Sequence, residues 1–200
     1  MEKIDGGVTA AKGFLAAHTA AGIKYQGRDD MAMIYSKVPA VAAGTFTRNV
    51  VKAAPVKWDQ QVVGESPFVQ AVVMNAGIAN ACTGQEGMGY CKETADAAGS
   101  ALGIPSQAVL VASTGVIGMQ LPMDRLRAGI GAMVPKLEDT RQAAAAAAQA
   151  IMTTDTHKKE AAVTFTVDGK IVTVGGMSKG SGMIHPNMCT MLAFITTDLA

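Results

Sequence analysis

Short apolar runs alternate along the chain with longer stretches of helical periodicity. The runs 31–38 (MAMIYSKV) and 40–47 (AVAAGTFT) predict strands, the second closed by Thr47-Arg48-Asn49. The run 68–75 (FVQAVVMN) predicts a buried strand, being short, β-branched and bounded by Asn75-Ala76-Gly77. Beyond it the period changes. Met88, Cys91, Ala95, Ala98 and Leu102 fall on one face of a helix, and Gly103-Ile104-Pro105 supplies its stop. A strand over 108–112 (AVLVA) follows, leading into a turn, STGVIG. Pro122 then opens a helix whose inner face is Met123, Leu126, Ile130 and Met133. The next helix is predicted to start near Glu138 or Asp139 and to carry the alanines of 143–148, for which helix propensity is the plain explanation. Two alternating runs flank Asp168-Gly169, the strongest hairpin signal in the chain, and the last residues end in or just after a strand.

This order predicts a mixed α/β (α+β) fold, with layered sheets flanked by helices and no repeat or long linker. A strand that closes a chain needs neighbours, so further polypeptide, in the same gene or as a second chain, is expected to complete the fold. At 200 residues and 49% apolar the chain can bury a core as one domain or two small ones. A net charge of +1, without a basic cluster, argues against nucleic acid or an anionic membrane as partner. The start lacks the pattern of a secretory signal and no window has the roughly 18 apolar residues of a membrane span, so a cytosolic (cytoplasmic) protein is expected. Cys82, Cys91 and Cys189 are irregularly spaced, and His18, His157 and His185 are isolated. Neither a disulfide framework nor a metal site is expected.

The chemistry concentrates in 179–198, KGSGMIHPNMCTMLAFITTD. A Walker loop would need its lysine after the last glycine and a helix beyond. Here Lys179 precedes Gly180 and an apolar strand follows, which argues against nucleotide binding. Gly180 and Gly182 let the main chain come close to a reacting group. Thr190 stands where the loop meets the strand. A threonine hydroxyl is a weak nucleophile, but at a chain start the free α-amine, with a pKa of about 7.7–8.0, serves as its base. Attack by that hydroxyl on the carbonyl of the small residue Cys189 would create such a start. The residues alone leave this beside a plainer reading, which they favour: Thr190 is a β-branched residue opening a strand.

The stretch 179–198 closely resembles the autocleavage motif of the ornithine acetyltransferase (glutamate N-acetyltransferase) family of arginine biosynthesis. GVTAAKGFLAA, AGIKYQGRDDMAMIYSKVPAVAAGTFTRNVVKAAPV, NAGIANACTG, ASTGVIG and IMTTDTHKKEAAV resemble that family in the same order, over nearly the whole chain. The resemblance implies a precursor cut between Cys189 and Thr190, with residues 1–189 as α chain and 190–200 as the start of a β chain. Thr190 would be the nucleophile, taking acetyl from N2-acetylornithine and passing it to glutamate, with acetyl-CoA as donor in some members and no resident cofactor. Thr114 and Gly115 would form the oxyanion hole. Thr153 and Lys179 would contact substrate, with Thr154 a neighbour one position off, and the assembly would pair two α with two β chains. His185 is read as a loop residue, since the threonine amine already supplies a base.

Two departures stand out. Cys189 replaces the family's usual alanine, where a thiol could slow cleavage, and Ala76 and Ile78 replace polar residues of its NSGNANACTG motif, which bears on rate or substrate preference. The alternatives are a related self-cleaving amidohydrolase or aminopeptidase, or a silent fragment that only binds a partner chain.

Overall fold

The computed structural model describes residues 1–180 and 191–199. In chain order the strands are β1 (Glu2–Ile4), β2 (Phe14–Thr19), β3 (Met31–Ala40), β4 (Val69–Ile78), β5 (Val109–Val116), β6 (Lys159–Val167), β7 (Lys170–Lys179) and β8 (Leu192–Thr197). The α-helices are α1 (Ala54–Glu65), α2 (Gly84–Leu102), α3 (Met123–Met133) and α4 (Arg141–Ala150). One sheet has the order β2-β3-β4-β5, antiparallel except for the parallel pair β4–β5. The other has the order β1-β6-β7-β8 and is antiparallel throughout. This is a mixed α/β architecture of layered sheets and helices, as the alternation of periods predicts, and the sheets number two among the described residues.

Successive residues of a strand face opposite ways, and both faces of the first sheet are apolar. Met31, Met33, Val73, Val109 and Val111 pack with Ala95 and Ala98 of α2 and with Leu126, Ile130 and Met133 of α3. From the other face, Ala32, Ile34, Met74 and Ala112 pack on α4, joined by Met177 and Phe194 of the second sheet. Helix α4 therefore lies between the sheets. Ala143, Ala144, Ala147 and Ala148 are all buried there, so the alanine run does more than favour helix: methyl groups let the backbone approach both layers. The helix starts at Arg141, slightly later than predicted. Thr140 Oγ1 accepts the Ala143 N–H at 3.1 Å, a cap of about 1 kcal/mol, while Glu138 forms a β-bridge with Ala16.

The Asp168-Gly169 turn has φ of 49° and 77°, the positive pair that a two-residue type I′ hairpin needs. Gly103 ends α2 in the left-handed region at φ 70°, as its position predicts. The strand expected over 40–47 does not form. Pairing of β3 with β4 slips between Tyr35 and Ala40, Pro39 lacks an N–H, and Val41 is 96% exposed. The strand over 68–75 runs on to Ile78, and STGV belongs to β5 rather than to a turn. Three elements were not anticipated: β1, β2 and α1.

Helix α1 has a structural task. β5 is an edge strand, and the Trp58 indole N–H donates to the Val109 carbonyl at 3.0 Å while Asp59 Oδ1 accepts the Val111 N–H at 2.9 Å. Two side chains of a helix thus satisfy an edge that would otherwise need a further strand. No helix among the described residues is long and apolar enough to cross a membrane.

Candidate active site

The NAGIANACTG and STGVIG segments meet at the C-terminal ends of the parallel strands β4 and β5, where open α/β sheets commonly bind ligands. Ala76 pairs with Thr114, Gly77 with Gly115 and Ile78 with Val116. Past the strands the segments stay tied, the Ala79 N–H donating to the Val116 carbonyl at 2.9 Å and the Gly118 N–H to the Ala81 carbonyl at 2.8 Å. Gly77 and Gly115 have φ of 112° and 136°, and a Cβ at Gly115 would lie 2.2 Å from the Gly77 carbonyl carbon and oxygen. Only glycine fits there.

Alternate residues of a strand turn their backbone groups to opposite edges. Since Val109 and Val111 face α1, Thr114 directs its backbone groups to β4 and Gly115 lies on the outer edge, beyond the reach of the α1 caps. The Thr114 side chain is buried at 8% exposure, and its hydroxyl makes no hydrogen bond among the described residues. The neighbouring Ser113 hydroxyl is likewise buried, with no hydrogen-bond partner among the described residues.

Beneath this corner the start of α2 is held by buried polar groups. Asn80, at φ 47°, donates to the Gly87 carbonyl at 3.0 Å and to Cys91 Sγ at 3.4 Å, and accepts from the Thr83 hydroxyl at 2.8 Å. Burial, then the nearby Asp59 carboxylate, pushes the Cys91 thiol up to about 12, so it is inert as a nucleophile. Ala76 and Ile78, the departures from the family motif, are buried with Ile78 in the apolar core. On the other side Asp30, fully buried, accepts the N–H groups of Ala21, Gly22 and Ile23 at 2.6–3.2 Å, and its carbonyl takes the Ala76 N–H. From the same loop Arg28, stacked over the Tyr25 ring, donates to the Met152 carbonyl just past α4. That bond ties the β4–β5 corner to the segment carrying Thr153.

Thr153 and Lys179 are brought together by Asp155. Its Oδ1 accepts the Gly180 N–H at 2.9 Å and pairs with Lys159 Nζ at 2.9 Å, and its Oδ2 accepts the Thr153 N–H at 3.3 Å and pairs with Lys179 Nζ at 3.2 Å. Burial opposes ionisation of this carboxyl, but the Lys159 and Lys179 ammoniums and the Thr153 N–H outweigh it and hold it at about 2. Lys179 is buried rather than solvated. It ends β7 and is 2% exposed. Gly180 lets the backbone lie against this cluster, where a Cβ would come within 3.0 Å of Lys159 Cε. Thr153 is part of the cluster while Thr154 is exposed. Sequence reasoning missed Asp155 and Lys159, although TTDTHKKE placed both beside Thr153.

Cys189, Thr190 and His185 lie outside the described residues, as does Gly182. No group of His, Cys, Asp and Glu among the described residues could hold a metal ion. A cleft of about 430 Å³ at the β1 edge is lined by Lys3, Asp5, Arg141 and Glu160, none of them a predicted site residue, and Arg141 is paired there with both carboxylates.

The model of the ArgJ family matches residues 15–200. The chain belongs to the ArgJ family. It is 53% identical over its whole length to an arginine biosynthesis bifunctional protein ArgJ of Symbiobacterium thermophilum, and 51% identical over 86% of its length to that of Thermotoga neapolitana. The chain spans about half the length of the curated ArgJ relatives it matches, 50% and 43% in these two. Its fold matches the crystal structure of ArgJ from Bacillus halodurans with a TM-score of 0.88 at 44% identity, covering 95% of this chain and 97% of that one. It also matches ornithine acetyltransferase of Mycobacterium tuberculosis, complexed with ornithine, with a TM-score of 0.83 at 44% identity, covering 92% and 96%.

Proposed function

We propose that this chain carries much of the active site of a glutamate N-acetyltransferase, which moves acetyl from N2-acetylornithine to glutamate in cytoplasmic arginine biosynthesis. The observation that carries the reading is the charge balance at Thr153 and Lys179: two ammoniums share the Asp155 carboxylate, so one positive charge remains for the α-carboxylate common to donor and acceptor. The ornithine complex of a solved relative at the same fold supports this substrate class.

Cleavage is the first step of the proposal. Thr190 Oγ attacks the Cys189 carbonyl carbon, the Cys189–Thr190 amide becomes an ester, and water hydrolyses it, freeing the Cys189 carboxylate and the Thr190 amine and hydroxyl. Lengths within the family agree with such a cut. The solved chains are about as long as this one, whereas the curated relatives are about twice as long. β8 begins shortly after Thr190 and is hydrogen-bonded to β7, so both sides of the cut would stay in one sheet.

In transfer, the Thr190 amine takes the hydroxyl proton as Oγ attacks the acetyl carbonyl. The amide C–N bond breaks, ornithine leaves with the proton on its α-amine, and an acetyl-threonine ester remains. The glutamate amine attacks that ester, N-acetylglutamate departs and the hydroxyl is restored. Negative charge on the carbonyl oxygen is met by the Thr114 hydroxyl, unpaired among the described residues, and by the edge N–H of Gly115, each such donor worth about 3–4 kcal/mol at the transition state. The rest of the precursor, beyond Ala200, supplies further substrate contacts as the β chain of an assembly of two α and two β chains. Acetyl-CoA, where accepted, enters as a substrate, and no cofactor is required.

The test is to express the precursor with the Thr190→Ala variant, record intact masses and follow acetyl transfer. The proposal requires a break at 189/190 and N-acetylglutamate formation in the parent, both lost in the variant. An uncut but active parent would refute the mechanism. Release of free acetate without N-acetylglutamate would favour the amidohydrolase instead.

A further inference from the structure

We infer that Asp155 is the positioning residue of the substrate-carboxylate end of this site, aligning Thr153, Lys179 and the Gly180 backbone as one unit. The inference rests on the reading of Thr153 and Lys179 as substrate contacts.

Four donors converge on its two oxygens, from the segment after α4 (Thr153), the start of β6 (Lys159), the end of β7 (Lys179) and the residue after it (Gly180). The side chains of Asp155 and Lys179 are 1% and 3% exposed. Lys179 Nζ also donates to the Gly180 carbonyl at 2.8 Å, which fixes the ammonium against the backbone. A buried ion pair is a poor source of net stability, because desolvation of both charges offsets their attraction. What this one supplies is geometry: it holds a lysine that would otherwise choose among many rotamers, and sets its distance from a threonine on another element. Lys159, with its side chain 36% exposed, brings the second positive charge, so Asp155 neutralises the buried lysine while the cluster as a whole stays cationic. The order of events is that Asp155 acts on Lys179 and Thr153, and these act on substrate. Asp155 itself, hydrogen-bonded through both oxygens, has no need to touch the ligand.

The full-length precursor is the protein to use, with Asp155→Asn, Lys179→Met and the double variant. Asparagine keeps the shape and one acceptor oxygen but removes the charge. For Asp155→Asn, KM for N2-acetylornithine and for glutamate is expected to rise about tenfold or more, with kcat within about threefold, the pattern of lost uniform binding. Acetylation of the enzyme by p-nitrophenyl acetate, an activated donor without a carboxylate, is expected to stay within about threefold of the parent. In the Lys179→Met background, Asp155→Asn is expected to add less than about threefold, since its main effect runs through Lys179 and only its backbone contacts to Thr153 and Gly180 remain to be lost. The double variant also lacks a buried unpaired ammonium, so it remains informative if Asp155→Asn alone fails to fold. Multiplying effects in the double variant, or equal loss with p-nitrophenyl acetate, would overturn the assignment. A parent that transfers no acetyl from N2-acetylornithine would remove the underlying reading, and this inference with it, before any variant is compared.

Discussion

Replacing Gly115 by alanine tests how far the β4–β5 corner depends on a backbone contact that excludes a side chain. An alanine Cβ there would lie 2.2 Å from the Gly77 carbonyl carbon and oxygen and 2.6 Å from the Ile78 nitrogen, at a φ of 136° that L-residues rarely adopt. The backbone conformation alone costs about 1–3 kcal/mol. Relief of the overlap means moving β5 away from β4 by about an ångström, and overpacking of that kind costs about 1–3 kcal/mol more. Gly118, in the same segment, is the control. Its φ is 78°, but a Cβ there meets nothing within 4 Å, so Gly118→Ala carries backbone strain without crowding and is expected to cost about 1 kcal/mol. Urea unfolding of both variants should separate them by about 2–3 kcal/mol at equal m-value. With Gly115 as the proposed oxyanion donor, a shift of about an ångström should also lower acetyl transfer about a hundredfold in Gly115→Ala. If the two variants unfold together, the stability of the corner does not depend on the close approach of Gly115 to Gly77, and if Gly115→Ala is destabilised yet transfers acetyl at the parent rate, its activity does not.

Two further predictions concern strand β5. Burial pushes the Asp59 carboxyl from 3.8 up to about 8, against the lowering effect of the Val111 N–H. Between these values the unfolded chain has released the proton and the folded protein holds it, so stability falls as pH rises from about 4 to about 8 and levels off above. The limit is near 6 kcal/mol at about 1.4 kcal/mol per unit, and water reaching this partly buried group brings the expected loss to about 2 kcal/mol. Asp59→Asn keeps the acceptor for Val111 and should be more stable than the parent by that amount at pH 8 but not at pH 4.5, read from urea midpoints, and parallel pH profiles would contradict the assignment. Thr114→Ala should lower kcat about a hundredfold while changing the unfolding free energy by less than about 1 kcal/mol, whereas Thr114→Ser, which keeps the hydroxyl, should lose less than tenfold. An active Thr114→Ala enzyme would remove that hydroxyl from the oxyanion hole.

Elements coded by local periodicity could be read from the chain. The inner face of α3, the helix stopped by Gly103 and the Asp168-Gly169 hairpin each carry their signal within a few residues, and each forms as predicted. What could not be read depends on contacts distant in sequence. α1 mixes polar and apolar residues because its task is to cap the edge of β5, and nothing local marks Trp58 or Asp59 for Val109 and Val111. The strand expected over 40–47 has a strand-like composition but no neighbour to pair with, and composition is only a weak guide when packing decides. The candidate site divides in the same way. Thr114, Gly115, Thr153 and Lys179 were found through motif resemblance, since one glycine or lysine in a loop carries no signal of its own. Asp155 lay between two of them and was passed over, because an aspartate after a helix reads as a solvated turn residue until the fold brings β6 and β7 against it. A carboxylate buried by strands from elsewhere in the chain is therefore the feature that sequence reading finds last, and here it is the one that joins Thr153 and Lys179 into one cluster.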